Sequence, residues 1–173
     1  MIVKIIGICL ILFSTTSIGF FLSGRMKERI EELETIRRML LMLRGEIKYS
    51  HSTLAEAFQT IGRRLKDPYG AMLLKTASVM EQLKGQTLAQ IWEESIREAL
   101  GESALCEEDK EKLIQLGNQL GYLDTEMQLS TIELYLEQTE EEIKNAWESF
   151  KRNGKLCRTM GIIAGIFLVI LMV

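Results

Sequence analysis

Apolar residues recur at three- and four-residue steps along most of the chain, which is the period of an amphipathic α-helix. The pattern is clearest from Thr125 to Arg152, where one face is formed by Leu129, Ile132, Leu136, Ile143, Trp147 and Phe150. Thr139 fills the one gap in this face, and glutamate dominates the other faces. Basic residues follow, and the sequence from Thr159 to Val173 is uncharged. The last helix is therefore predicted to continue into a membrane.

The stretch from Ile5 to Gly24 is also uncharged and, as a helix, would be about 30 Å long, which matches the hydrocarbon thickness of a bilayer. A cleaved signal peptide is the alternative, but the apolar run is longer than the usual signal core. We therefore predict transmembrane helices at residues 1–24 and 159–173, and a helical-bundle domain at residues 25–158. Basic residues lie on the domain side of both spans, which predicts that this domain is cytoplasmic.

The region between the spans predicts a continuation of the first helix to about Tyr49, followed by helices with recognisable starts. The apolar stripe of the first helix is Met26, Ile30, Leu33, Ile36, Leu40, Leu43 and Ile47. Later helix starts are indicated at Ser52 or Thr53 with Glu56, at Asp67–Pro68, at Thr87 with Gln90, at the acidic run beginning with Glu107, and at Asp124–Thr125. The predicted fold class is all-α: a six-helix antiparallel cytoplasmic bundle flanked by two transmembrane helices.

Two charged faces are candidate partner interfaces. Arg37, Arg44 and Lys48 lie on the first helix, in positions that the stripe places opposite its apolar side. Glu137, Glu140 and Glu141 lie on the last helix. Faces of opposite charge steer partners together, although ordinary solvated surfaces have the same composition.

Composition and charge narrow the function classes. The chain has 173 residues, a net charge of −3 and one proline, and 47% of its residues are hydrophobic. Residues 1–75 carry 12 basic and 7 acidic side chains, whereas residues 76–173 carry 9 and 17, so neither half is a basic nucleic-acid-binding domain. Three widely separated cysteines indicate no disulfide framework.

No motif predicts an enzyme, a metal site or a cofactor site. His51 is the single histidine, and no carboxylate next to it in sequence would orient it for catalysis, so a turn between helices accounts for it better. Trp92 and Trp147 are predicted to be core aromatics. Gly117 and Gly121 are spaced for close helix packing or a helix end rather than for phosphate binding.

Two segments resemble the stage III sporulation protein AB family of endospore-forming bacteria. The first segment is Leu43-Arg44-Gly45-Glu46-Ile47-Lys48-Tyr49 with Leu54-Ala55-Glu56-Ala57 close behind; the second is Leu116-Gly117-Asn118-Gln119-Leu120-Gly121 with Asp124 and Gln128. The resemblance extends over essentially the whole chain. It makes Glu46, Tyr49, Leu54, Gly117, Gly121, Asp124 and Gln128 the signature residues. One departure is Ser52-Thr53, where the family pattern has threonine-proline.

The resemblance implies a protein of the mother-cell membrane around the forespore, within a channel-like, secretion-like complex that joins the two cells. It also implies a cytoplasmic domain similar to platform protein F of type II secretion and type IV pilus machines. The implied partners are the secretion-type ATPase of the complex, other stage III sporulation membrane proteins and membrane lipid. The alternative from the residues alone is a membrane-anchored helical sensory module. A third class is an unrecognised hydrolase that uses Ser50, His51 or the carboxylates.

Overall fold

The protein is described from a computed structural model that covers residues 2–50, 52–82, 85–121 and 124–172. Within these ranges, the side chains of residues 2–13, 15, 16, 155, 157, 158, 161, 162, 164–166 and 168–172 are not described. His51 and Leu83, and with them the predicted turn role of His51, lie outside the described residues.

The described residues form six α-helices and no strand, which confirms the all-α prediction. The elements are α1 (Ile2–Gly45), a π-helical turn (Glu46–Ser50), α2 (Leu54–Gly62), α3 (Tyr69–Glu81), α4 (Leu88–Ala99), α5 (Glu107–Leu120) and α6 (Thr125–Met172). In the middle of the chain, each helix packs on the next one in sequence: α2 on α3, α3 on α4 and α4 on α5. A helical bundle with short connections is consistent with this arrangement.

The chain forms two compact units. The terminal unit consists of Met1–Glu31 and Ile143–Val173, and the central unit is Glu32–Glu142. Both long helices contribute residues to both units, because α1 and α6 each extend across a unit boundary. The domain boundaries that we drew at the ends of the uncharged stretches depend on the membrane prediction and stay predictions.

The core of the central unit is built from the apolar faces that the sequence pattern predicts. Phe58, Ile61, Leu73, Trp92 and Leu116 are all at most 1% exposed. The rings of Phe58 and Trp92 stack with their centroids 5.2 Å apart. Burial of such large side chains contributes about 1.5–3 kcal/mol each relative to exposure, so these residues stabilise the central unit.

Two predicted capping boxes are present. The Thr53 hydroxyl accepts a hydrogen bond from the Glu56 amide, and the Thr53 amide donates to the Glu56 carboxylate at 2.9 Å. Thr87 and Gln90 make the same pair of bonds at the start of α4. These bonds satisfy amide groups that a helix start leaves without partners, so the short polar connections also fix where α2 and α4 begin.

The predicted start of α3 is wrong by one residue. Proline was expected at the first helical position, but Pro68 precedes the helix, which begins at Tyr69. The reason lies in the Asp67 carboxylate, whose Oδ1 accepts a hydrogen bond from the amide of Ala71 at 3.0 Å. The carboxylate thus satisfies an amide deeper in the first turn and leaves the proline outside the helix.

The terminal unit contains an antiparallel approach of α1 and α6 through small residues. A Cβ atom at Gly154 would lie 3.4 Å from the Ser23 hydroxyl oxygen, and both residues are buried. By contrast, Phe20, Phe21, Leu22, Met160, Ile163 and Phe167 are each at least half exposed. Among the described side chains of the terminal unit, small residues thus lie at this approach, whereas several large apolar side chains face outward.

The prediction that Trp147 is a core residue is wrong, because its side chain is 38% exposed in the terminal unit. It makes an edge-to-face contact with Phe150, with the ring centroids 6.0 Å apart. Ala146, the preceding residue, is buried instead. Earlier on α6, Ile132, Leu136 and Thr139 of the predicted face are buried, so the prediction is confirmed there and is wrong only at Trp147.

No helix in the part of the chain that the structure describes has a stretch long and apolar enough to cross a membrane. Much of the two stretches predicted as spans, residues 5–24 and 159–173, consists of residues whose side chains are outside the described set.

Candidate partner interface

The two predicted charged faces contact each other. The Nε atom of Arg37 on α1 donates a hydrogen bond to Oε1 of Glu140 on α6 at 2.9 Å. One Arg44 nitrogen lies 3.7 Å from Oε1 of Glu133. The two arginines are seven residues apart on α1, and the two glutamates are seven residues apart on α6. One edge of the α1–α6 pair within the central unit therefore carries two ion pairs, one above the other.

This arrangement corrects the position predicted for the basic residues. Arg37 and Arg44 do not lie opposite the apolar stripe of α1 but flank it, where they reach α6. The side chain of Arg44 is 38% exposed, which is consistent with a flanking position. Exposed ion pairs of this kind contribute about 0–1 kcal/mol each to the free energy of unfolding, so they add little to the stability of the fold.

Three other residues of the predicted faces remain available at the surface. The Lys48 ammonium lies 5.6 Å from the centroid of the Tyr49 ring, and both residues are exposed. Glu137 and Glu141 are exposed, and neither forms an ion pair with any residue that the structure describes. The edge thus carries two ion pairs, whose charges cancel, beside glutamates whose charge is not cancelled by a described residue.

The signature residue Gly117 is required by the packing of α4 on α5. A Cβ atom at this position would overlap the indole ring of Trp92. The Trp92 Nε1 group donates a hydrogen bond to the carbonyl oxygen of Leu113 at 2.7 Å, one helical turn before Gly117. The indole therefore occupies space beside α5 that only glycine leaves open.

The remaining signature residues of this segment form the connection to α6. Gly121 caps α5, and a Cβ atom there would lie 3.2 Å from Cβ of Leu88. Asp124 Oδ1 accepts from the Met127 amide at 2.9 Å, and the Gln128 side chain donates to the Leu120 carbonyl at 3.0 Å. The presence of these residues in the signature has a structural reason: Gly121 ends α5, Asp124 caps the start of α6, and Gln128 joins α6 to the end of α5.

The first signature segment forms the connection between α1 and α2. The Glu46 carboxylate lies 3.7 Å from an Arg64 nitrogen, and the Glu46 side chain is only 15% exposed. Leu54 is half-buried at the first position of α2. Tyr49 is 77% exposed, and among the signature residues it is the one that the internal packing explains least.

Sequence reasoning missed a carboxylate that joins three segments of the central unit. Glu32 on α1 accepts hydrogen bonds from the Ala104 amide at 2.9 Å and from the Tyr69 hydroxyl at 3.4 Å. Burial and then the negative charge of Glu32 raise the pKa of the Tyr69 hydroxyl above its usual range. The only sequence signal was the position of Glu32 directly beside the apolar stripe.

A second missed group joins α5 to α6. The Lys112 ammonium lies 2.6 Å from Glu142 and 2.8 Å from Glu108. Hydrogen bonds to Glu108 and then to Glu142 raise the pKa of Lys112 above its usual value. The nearby Asp109 is 5% exposed, and its Oδ2 accepts a hydrogen bond from the Cys106 amide at 3.0 Å. The sequence predicts Asp109 only as part of the acidic first turn of α5.

No group of histidine, cysteine, aspartate or glutamate side chains suited to holding a metal ion occurs among the residues that the structure describes. Two surface features are candidate contacts for a partner: the charged edge of α1 and α6, and the exposed Tyr49.

Comparison with known proteins assigns the chain to a family. The family model described as stage III sporulation protein AB matches residues 4–173. The chain belongs to the stage III sporulation protein AB family. This membership confirms the resemblance that the two signature segments indicated.

Relatives of known name agree with this assignment. The chain is 29% identical, over 170 residues and 98% of each chain, to the stage III sporulation protein AB of Bacillus subtilis (strain 168). A solved structure of a stage III sporulation protein AB is similar with a TM-score of 0.65 and 26% identity. The similarity covers 72% of this chain and 97% of the solved one. This member of the stage III sporulation protein AB family thus shares its fold with a characterised structure.

Proposed function

We propose that this protein is a non-enzymatic membrane platform in the channel complex that links mother cell and forespore during sporulation. Family membership supports the sporulation role, and the names of the matched relatives designate a sporulation protein without naming an activity. In this proposal the central unit docks a cytoplasmic secretion-type ATPase and other stage III sporulation membrane proteins. The terminal unit holds the protein in the mother-cell membrane around the forespore.

The observation that carries the proposal is the outward exposure of large apolar side chains on both helices of the terminal unit. Phe21 is 67% exposed on α1, and Phe167 is 63% exposed on α6. Apolar residues concentrated on the outside of a small unit favour a lipid or protein environment over water. Lys151 and Arg152 are exposed on α6 in the same unit, at the side where the uncharged sequence begins, as expected for a membrane–water interface.

The central unit supports the docking half of the proposal through the charged edge of α1 and α6. Arg37, Glu137 and Glu141 are exposed on this edge, and exposed charge governs the rate and orientation of protein association. Because the Arg37–Glu140 pair contributes little to folding, exchanging its charges changes the surface more than the stability.

The test is a charge exchange in sporulating cells. Arg37→Glu, Glu140→Arg and the double variant replace the native protein, and heat-resistant spores are counted beside the cellular protein level. We expect both single variants to lower spore formation at least about tenfold at normal protein level, because a like charge then faces the partner. The double variant restores the internal ion pair with reversed polarity and should remain defective.

The control is Arg97→Glu on α4, which likewise reverses the charge of an exposed arginine, here one paired with Glu93 and Glu111 away from this edge. It should form spores normally. If the double exchange restores spore formation, only the internal pair matters and the edge is not a docking surface.

A further inference from the structure

The outer surface of α1 and α6 carries most of the exposed large apolar side chains of the central unit. Among the described residues of this unit, four such side chains belong to these two helices or to the π-helical turn: Leu41, Tyr49, Met127 and Leu134. One more, Leu74, lies on α3. An apolar surface concentrated on one pair of neighbouring helices indicates a contact with another molecule.

On α1 the exposed apolar residues form a short outward stripe with an open position in its middle. Leu41, Gly45 and Tyr49 follow one another at four-residue steps, which places them on one side of the helix. A Cβ atom at Gly45 would have no heavy atom within 4 Å, so a side chain of another molecule can approach the backbone here. Arg38, beside this stripe, is exposed and forms no ion pair with a described residue.

The outward side of α6 has the complementary chemistry. Met127 and Leu134 are exposed and lie seven residues apart, which is about two helical turns. Glu137 and Glu141 continue the same side and carry the negative charge that no described residue cancels. Both helices thus present apolar side chains, and the charge beside them is positive on α1 and negative on α6.

The apolar residues of the two helices lie at matching levels. The two ion pairs of the charged edge define which residue of α1 is level with which residue of α6. Counted from these pairs, Leu41 is two residues from the level of Leu134, and Tyr49 is one residue from the level of Met127. At 1.5 Å per residue, each apolar side chain of α1 has a counterpart on α6 within about 3 Å along the helix axis.

The unpaired charges match in the same way. Counted from the same ion pairs, Arg38 is level with Thr139, which is midway between Glu137 and Glu141. The positive charge of α1 and the two negative charges of α6 therefore lie at one level, although they face outward from different helices of the same chain.

We propose that two copies of this chain pair through this surface, with a two-fold axis that runs along α1 and α6. Because the two helices lie side by side and antiparallel, this rotation places α1 of each copy against α6 of the other copy. A rotation about such an axis leaves the level of every residue unchanged. Leu41 therefore meets Leu134 of the second copy, Tyr49 meets its Met127, and Arg38 meets its two glutamates.

This inference rests on the proposed function in one respect and deepens it in another. Two copies in one membrane point the same way, and a rotation about the membrane normal preserves that orientation. Helices α1 and α6 continue into the proposed anchors, so an axis along them is compatible with membrane attachment. The inference also names a second copy of the chain as a partner of the charged edge.

The test is site-directed cross-linking of the full chain in membranes, in a background without Cys9, Cys106 and Cys157. Two copies with different tags are co-expressed, one with Leu41→Cys and one with Leu134→Cys, and are treated with a short bismaleimide. We expect a covalent dimer that contains both tags, because the two-fold rotation brings these positions together.

Leu74→Cys is the matched control, since Leu74 is 37% exposed and Leu41 is 36% exposed. Paired with Leu134→Cys, it should give at least about fivefold less dimer, because α3 does not take part in the pairing. Two copies that both carry Leu41→Cys should also give little dimer, because the rotation places α1 against α6 and not against itself.

Charge reversal tests the electrostatic part of the contact. Arg38→Glu in both copies should lower the yield of the Leu41→Cys and Leu134→Cys dimer about fivefold, because three negative charges then meet. Addition of Glu137→Arg and Glu141→Arg to both copies should restore the yield. The amount of each protein in the membrane is measured beside the yield.

Four outcomes overturn the proposal: no dimer from Leu41→Cys with Leu134→Cys, an equal yield with Leu74→Cys, an unchanged yield in Arg38→Glu, or a product that joins Leu41→Cys to a different protein. None of them affects the platform proposal, which is tested by counting spores of the charge-exchange variants. Conversely, charge exchange without effect on sporulation leaves the cross-linking result unchanged.

Discussion

At the scale of single residues, Gly117 carries the most demanding contact, because the Trp92 indole occupies the place of a side chain. We predict that Gly117→Ala lowers the free energy of unfolding by about 3 kcal/mol, since the indole must move from its hydrogen bond to Leu113. Urea unfolding of the full chain, followed by far-ultraviolet circular dichroism, measures this loss.

Gly45→Ala is the matched control, because no heavy atom lies within 4 Å of the added methyl group at the end of α1. Gly45→Ala should not lower the free energy of unfolding and should raise it by up to about 1 kcal/mol, because alanine has the better helix propensity. Equal stability of the two variants would show that the indole adapts and that Gly117 is not a packing requirement.

The sequence predicted the role of Gly117 only in part. The spacing of Gly117 and Gly121 indicated close packing or a helix end. In the structure, Gly117 allows the close packing and Gly121 stands at the helix end. The partner, Trp92, was predicted as a core aromatic, and it is fully buried. Trp147 followed the same periodicity and is nevertheless 38% exposed, because periodicity defines a face but not the element that covers it.

At the scale of helices, the start of α2 depends on a titratable cap. Hydrogen bonds from the Thr53 amide and hydroxyl lower the pKa of Glu56 from its ordinary value of 4.5. A depressed carboxylate pKa stabilises the folded state above the ordinary value, and this contribution is lost as the pH falls through the folded pKa. We therefore predict that acidification below 4.5 loosens the first turn of α2.

The measurement is the amide proton shift of Thr53 as a function of pH, with an expected midpoint below 4.5. The chain contains its own control, because the equivalent cap of α4 uses Gln90, which does not titrate. The Thr87 amide shift should stay constant over the same range. A Thr53 midpoint at or above 4.5 would contradict the proposed cap.

The helix starts were predictable because their signals are local. Thr53 with Glu56 and Thr87 with Gln90 lie within one turn, so the cap is complete in the sequence itself. The start of α3 was misplaced by one residue because the Asp67 carboxylate accepts from the amide of Ala71, four residues later, which the sequence does not reveal. The three-way contact of Glu32 was not predictable, since its partners Tyr69 and Ala104 are brought to α1 only by the fold.

At the scale of the whole molecule, the platform proposal predicts a defined membrane topology. Single cysteines placed at Gln86 and after Val173, in a background without Cys9, Cys106 and Cys157, are exposed to a membrane-impermeant maleimide. We expect protection at position 86 and labelling after position 173 in intact cells, because basic residues hold the central unit on the cytoplasmic side.

Permeabilised cells provide the control, in which both positions should be labelled. Labelling at position 86 in intact cells would mean that the central unit faces outward. A cytoplasmic ATPase then has no access to it, and the sensory-module hypothesis becomes the better one.

The whole-molecule prediction was right in class and incomplete in organisation. Helical periodicity sufficed for six helices and no strand among the described residues. The prediction assigned the charged residues of each helix to the surface of that helix alone. It therefore missed the ion pairs of Arg37 with Glu140 and of Arg44 with Glu133. Such pairs depend on the antiparallel register of α1 and α6, which periodicity within one helix does not contain.

The distribution of the two tryptophans has a practical consequence. Trp92 is enclosed in the central unit against Phe58, and Trp147 is partly open to its surroundings in the terminal unit. An enclosed indole emits at shorter wavelength and resists dissolved quenchers, whereas a partly open one responds to its solvent or lipid environment. With either tryptophan replaced by phenylalanine, the intrinsic fluorescence follows one unit alone, and the order in which the two units unfold can be observed without any attached dye.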